Sequence, residues 1–250
     1  MVKSTIFEEM DELLNAARRE NIQIRLIGGL AIKYHSPSAE ASSLNRSYPD
    51  IDVVVDKKGK NKLTAFFSSV GYAPDKTFNL LNGDRRQIFI NNETGHRVDV
   101  FVGDFEMCHK LPMSNRLAHH PVTVPLAELF LSKIQIIELN RKDALDIISL
   151  LLDNEVGFND ETNINLDRIV RLCLKDWGLY KTLIINLAKI EMILLEDELE
   201  IPQEQKGVVL HRINAIRSLL DRVNKPILWK MRNSVGTRIR WYAEVEEVDR

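Results

Sequence analysis

Two stretches decide the fold: Arg25-Leu-Ile-Gly-Gly-Leu-Ala-Ile-Lys33 and, after a polar loop, Tyr48-Pro-Asp-Ile-Asp-Val-Val-Val-Asp56. The first reads as a short apolar strand that turns through Gly28-Gly29 into a helix. The second reads as a strand buried on at least one side, headed by Asp50 and Asp52. Side chains alternate along a strand, so these two carboxylates face the same way. Held close together they repel unless a cation sits between them. A divalent ion is the economical partner, and Mg²⁺ is the usual hard cation where one or two carboxylates meet substrate phosphates. A Gly-Gly turn opening a helix brings backbone N–H groups and the helix dipole to an anion. It is not a P-loop, because the Gly-Lys-Ser/Thr ending is missing.

Working outward, Asp99 lies in a second apolar run, Arg97-Val-Asp-Val-Phe-Val102. A charge inside so apolar a strand is costly unless compensated. Joined to Asp50 and Asp52 it completes a three-carboxylate set. Such a set can hold two metals, which stabilise the attacking and leaving oxygens of an in-line phosphoryl displacement. Asn91-Asn-Glu-Thr-Gly95 reads as a hairpin turn between strands at 86–90 and 96–102. Arg85, Arg86 and Arg97 flank that hairpin, either to contact a nucleotide or RNA backbone or as a solvated strand edge.

Before the Gly-Gly turn, Ile6, Met10, Leu13, Leu14 and Ala17 recur at helical spacing over 5–19, with Ser4 as the expected cap. A strand at 22–27, a helix at 30–34, a loop at 36–49, the strand 51–55 and a helix at 59–70 ending at Gly71 follow. Residues 122–124 read as a last short strand, and Pro125 suits the first turn of a helix. Beyond it the pattern is helical over 126–153, 166–199 and 203–223, and strand signals nearly vanish. The expectation is an α+β chain: a mixed β-sheet domain with flanking helices over 1–124, then an all-helical domain over 125–250.

Composition excludes several classes. With 44% hydrophobic and 28% charged residues, the chain has the profile of an ordinary globular protein. A net charge of −2 gives no global basic field, so any phosphate site must be local. Cys108 and Cys173 form neither a CxxC pair nor a disulfide framework. No apolar run approaches the roughly 18 residues that span a bilayer, and the N-terminus lacks signal-peptide character. We therefore expect a cytoplasmic protein with no membrane association. His119-His120 reads as a loop, since adjacent residues point apart in extended chain. Trp229-Lys-Met-Arg-Asn-Ser-Val-Gly-Thr-Arg-Ile-Arg-Trp-Tyr242 mixes bases with aromatics. It either tracks a nucleic-acid backbone and stacks on bases, or closes the helical domain as an amphipathic element.

Ile27-Gly28-Gly29, Asp50-Ile51-Asp52 and Asp99, in that order, resemble the nucleotidyltransferase superfamily with its polymerase β-like fold. The resemblance implies Mg²⁺-dependent transfer of a nucleotidyl group from a nucleoside triphosphate to an acceptor hydroxyl. Asp50 and Asp52 would hold both of two Mg²⁺ ions. Asp99 would hold the catalytic one and help activate the hydroxyl, and Gly28 and Gly29 would seat the triphosphate. A looser likeness runs through Pro125-Leu-Ala-Glu-Leu-Phe-Leu-Ser-Lys133 and Arg141-Lys-Asp-Ala-Leu-Asp146, which are similar to the nucleotidyltransferase toxins of abortive-infection and type IV toxin–antitoxin systems. That likeness implies Lys133 on phosphate, Asp143 in an orienting role, a small molecule or tRNA as acceptor, and an antitoxin partner. The chain departs from those toxins at Tyr48, where a small hydroxyl residue is usual, and at Leu30, where a Ser would contact phosphate. Two alternatives stay open: a catalytically silent nucleotide-binding or regulatory module with the same fold, and a toxin-type transferase acting on tRNA.

Overall fold

The computed structural model describes residues 5–113, 115–196 and 199–244. The chain divides into two compact units, neither of them a single continuous stretch. The first comprises Met1–Ile32, Ser47–Glu106 and Pro112–Pro125, and the second Lys33–Arg46, Met107–Leu111 and Leu126–Arg250. The helical unit thus draws in two short segments from the first half of the sequence.

The first unit is built on one mixed sheet of five strands. Their chain order is β1 (Ile24–Ile27), β2 (Asp50–Val55), β3 (Tyr72–Pro74), β4 (Arg86–Asn91) and β5 (Arg97–Val102), and their spatial order is β1-β2-β5-β4-β3. Only β2 and β5 run parallel; every other pair is antiparallel. Ile51, Val53 and Val55 of β2 stand beside Val98, Val100 and Val102 of β5, and this apolar set is buried. Helices cover that face. Helix α1 (Ile6–Arg19) turns Met10, Leu13, Leu14 and Ala17 inward, and its Glu9 reaches Tyr72 and Asn91. Helix α3 (Leu63–Ser69), which follows the eight-residue α2 (Gly28–His35), stacks Phe67 on Phe89 with ring centroids 4.0 Å apart. The opposite face carries the charged residues of β2 and β5.

Local chemistry explains where the elements depart from expectation. Ser4 lies outside the described residues; Thr5 caps α1, one position on from where the sequence places the cap. That shift puts Glu8 third in line and closes a capping box in which Thr5 and Glu8 satisfy each other's backbone N–H. The strand expected at 122–124 is only a single bridge, Thr123 beside Leu26, because Pro121 and Pro125 leave no donors to extend a ladder. Strand β3 and helix α4 (Lys76–Asn82) carry no strong periodicity; Asp75 caps α4 by accepting from the Phe78 N–H.

In the second unit the long helical runs are broken. Residues 126–153 form α5 (Leu126–Ile134) and α6 (Arg141–Asp153), with Asn140 capping the latter. The carbonyls freed at the break are taken by buried Asn186, whose Nδ2 donates to Ile134 and Ile136 at 2.8 and 2.7 Å. Residues 166–195 form α7 (Leu166–Lys175) and α8 (Trp177–Leu195), separated at the cap Asp176. Helices α9 (Gln203–Arg222) and α10 (Ile227–Val235) complete the unit. Among the described residues no helix is long and apolar enough to cross a membrane.

Candidate functional site

Strand β2 starts at Asp50 and alternates, so Asp50 and Asp52 share the face of the sheet opposite Ile51, Val53 and Val55. In the parallel pairing Asp50 stands opposite Arg97 and Asp52 opposite Asp99, which places all three sequence-predicted acids on that face. The Gly-Gly turn meets them there. Gly28 has φ +74°, and a Cβ built on it would stand 2.2 Å from Oδ2 of Asp52. Two independent demands therefore require glycine at 28: a left-handed backbone and contact with a carboxylate. Gly29 is buried in the first turn of α2.

Asp99 is not left facing its fellow acids. Its carboxylate is 1% exposed and is held from both sides. Arg86 donates through Nε to Oδ1 and through Nη2 to Oδ2, both at 3.0 Å, and Arg97 donates to Oδ2 at 2.7 Å. The Arg97 guanidinium also lies 3.6 Å from Oδ2 of Asp50. Arg86 in turn rests over Phe101 and Phe78, 5.2 and 5.7 Å from their ring centroids. A buried carboxylate with a bidentate arginine and a second charged donor has its lone pairs spoken for. The sequence leaves these arginines either as nucleotide or RNA contacts or as a solvated strand edge. Their role here is to compensate Asp99, which the cost of burying a bare charge does demand.

These pairings bear on metal binding. Among the described residues no three His, Cys, Asp or Glu side chains converge so as to hold an ion. The three acids and two arginines leave the face with one surplus negative charge. Asp50 and Asp52 are the carboxylates on which a hard cation, taking its remaining ligands from water and phosphate, would have to sit. A second ion on Asp99 does not fit while both arginines hold that carboxylate.

The later predicted residues, Lys133 and Asp143, belong to the second unit and form a network there. Lys133 Nζ donates to Asp143 at 2.8 Å and lies 3.1 Å from Asp146. Asp146, nearly fully buried, is also gripped by Arg46, whose Nε and Nη2 donate to its two oxygens at 2.7 and 2.6 Å. Burial alone would lower the Lys133 pKa, but the charges of Asp146 and Asp143 outweigh it and hold the ammonium above the ordinary lysine value. Asp146 lies in the Arg141–Asp146 motif without a site role there, and Arg46 lies outside every quoted motif. A signal for them existed in hindsight: an acid in the middle of the apolar run after residue 143 needs a cation.

His119 and His120 belong to the first unit, and the Nδ1 of His120 accepts the Thr123 N–H at 3.0 Å. In the second unit the aromatics of the C-terminal run pack on helices: Trp229 meets Tyr180 edge-on at 4.9 Å and donates from Nε1 to the Cys173 carbonyl. No protein-family model matches the chain, and no curated protein matches it.

Proposed function

We propose that the chain is a nucleotidyltransferase, moving the nucleotidyl group of a nucleoside triphosphate onto an acceptor hydroxyl. The observation that carries this reading is the contact of Asp52 with the Gly28 turn, with Asp50 on the same face and the pair in register with Arg97 and Asp99. A carboxylate pair beside a helix-opening glycine turn is the arrangement a metal–triphosphate needs: acids for the ion, N–H donors for the phosphates. Asp50 and Asp52 would hold Mg²⁺, which when bound neutralises phosphate charge. The backbone N–H groups at Gly28 and Gly29 would seat the phosphates, and positioning with charge neutralisation would supply the rate. In this reading Asp99 acts through Arg97, whose guanidinium it fixes beside Asp50. A direct part for Asp99 on a second ion requires Arg97 to let go. The helical unit would supply acceptor selection, whether the acceptor is a small molecule or tRNA; a toxin role with an antitoxin partner belongs to the same family of readings.

The neutralisation of Asp99 by two arginines favours one rival. A silent module that binds nucleotide without turnover has no use for a third metal ligand and gains rigidity from the pairing. The two separate on one experiment. The full chain is incubated with each α-labelled nucleoside triphosphate, Mg²⁺, and either total tRNA or a small-molecule acceptor set. Label transferred by the native chain and lost by Asp50→Ala and Asp52→Ala supports the transferase. Nucleotide binding with background labelling in all three proteins supports the silent module.

A further inference from the structure

We propose that the helical unit carries a binding pocket for a nucleobase with its phosphate, formed where α8 and α10 meet the segment at 240–243. This pocket is an open cleft of about 770 Å³ lined by residues of that unit alone. The volume lies within the roughly 300–1,000 Å³ of small-molecule sites. The chain has three tryptophans, and Trp177, Trp229 and Trp241 all line it, with Tyr242 beside them.

The aromatics are paired with cations. The Arg232 guanidinium lies 4.2 Å from the Trp177 ring centroid, and that of Arg240 lies 5.1 Å from the Tyr242 centroid. A flat π surface carrying positive charge is what stacks a base while neutralising its phosphate. Among the described residues the wall holds four basic side chains, Lys110, Lys175, Arg232 and Arg240, against one carboxylate, Asp176, and Glu244 just beyond it pairs with Arg240, which leaves a local cationic excess in a protein whose net charge is −2. That local excess selects an anion. It disfavours the quaternary ammonium ions that aromatic cages otherwise take, since like charges repel and the Trp177 and Tyr242 rings already face cations.

The wall is also fixed in place. The Trp241 indole N–H donates to Thr182 Oγ1 at 3.1 Å, and that oxygen lies 2.9 Å from His109 Nε2. The other ring nitrogen of His109 lies 3.2 Å from Asp176. His109 and Thr182 are buried. Gly178 admits the Trp241 backbone, for a Cβ there would stand 2.2 Å from the Trp241 carbonyl oxygen. Arg232 donates to the Gly236 and Ile239 carbonyls, which holds the turn after α10. A preordered aromatic wall loses little freedom on binding.

This inference rests on the pocket's own chemistry and stands apart from the transferase reading. Its test follows intrinsic tryptophan emission of the full chain, without Mg²⁺, in both the native protein and the Asp50→Ala/Asp52→Ala variant. The probes are adenosine monophosphate, a short single-stranded RNA, a blunt RNA duplex and tetramethylammonium. Saturable quenching is expected from RNA or the monophosphate, equal in both proteins and weakened by salt. Lys175→Glu with Arg240→Glu, which reverses two exposed charges, is expected to weaken it at least about tenfold with an unchanged thermal melt. Tyr242→Ala provides the stacking control. A stronger response to RNA than to the monophosphate names a strand end as the source, and the reverse names a free nucleotide. No quenching by either, quenching unaffected by the charge reversal, or a response to tetramethylammonium alone overturns the proposal.

Discussion

Arg46 and Asp146 are separated by a hundred residues and joined by two parallel hydrogen bonds at 2.7 and 2.6 Å. Both side chains are nearly excluded from solvent. A bidentate pair in that setting fixes direction as well as distance, so it pins the 33–46 segment onto α6. Breaking it leaves the buried Asp146 carboxylate with Lys133 as its remaining cation in the network. We predict that Arg46→Ala lowers unfolding free energy by about 3–5 kcal/mol, measured by urea denaturation. Arg46→Met with Asp146→Leu should recover a large part of that loss, since Lys133 then still has Asp143 as its partner.

Lys133 sits in the same network, and its folded pKa lies above the ordinary 10.5. Its contribution to stability is complete below that ordinary value and is lost as pH rises through the higher folded value. Comparing the native chain with Lys133→Met, the stability gap is expected to be constant from neutrality to about pH 10 and to shrink above it. A gap that widened on the alkaline side would contradict the network as described.

Gly28→Ala meets two obstacles at once. The left-handed backbone alone costs about 1–2 kcal/mol, and the new methyl meets the Asp52 carboxylate. In the Asp52→Ala background the second obstacle disappears. The double variant is therefore expected to be more stable than the sum of the two single effects predicts, and a double-mutant cycle by chemical denaturation reads this directly.

Tyr72 is buried under α1, and that burial, with Glu9 as a further cause, pushes its phenol up to about 12. Its hydroxyl donates to Glu9, which also accepts from Asn91 and contacts His96 Nδ1 at 2.8 Å. Absorbance titration of phenolate should show a component near 12 that Tyr72→Phe removes. Because the folded value exceeds the ordinary 10, the native chain should lose stability relative to Tyr72→Phe between those two values, and not below them.

The parts of the fold that were legible are those where one local rule acts alone. The alternation of Asp50-Ile51-Asp52-Val53 identified a half-charged strand, and Asn91 to Gly95 identified the hairpin; Asn91 Oδ1 caps that turn and Gly95 takes φ +79°. The breaks at 135–140 and at Asp176 were not legible, because apolar spacing continues across them and the freed carbonyls of the first are satisfied from a distant helix, by Asn186 and Lys189. The acids at 50, 52 and 99 were identifiable one by one. That arginines would claim Asp99 was not, since strand pairing decides which charges become neighbours. Lys133 with Asp143 could be named from spacing, while the part of Arg46 depends on a loop folding back over a long separation.

Arg86, Arg97 and Asp99 all lie on the β4–β5 hairpin. The segment that buries this carboxylate thus brings its own counter-charges, and with one cation to spare. Strand β2 arrives from far earlier in the chain, bearing Asp50 and Asp52. Chain collapse therefore offers the two acids an oppositely charged edge to land on, in the register where Asp50 finds Arg97. The neutral interior of this edge is thus carried by one contiguous segment, so a charge lost from the hairpin is felt by the acids of a strand more than thirty residues away in sequence.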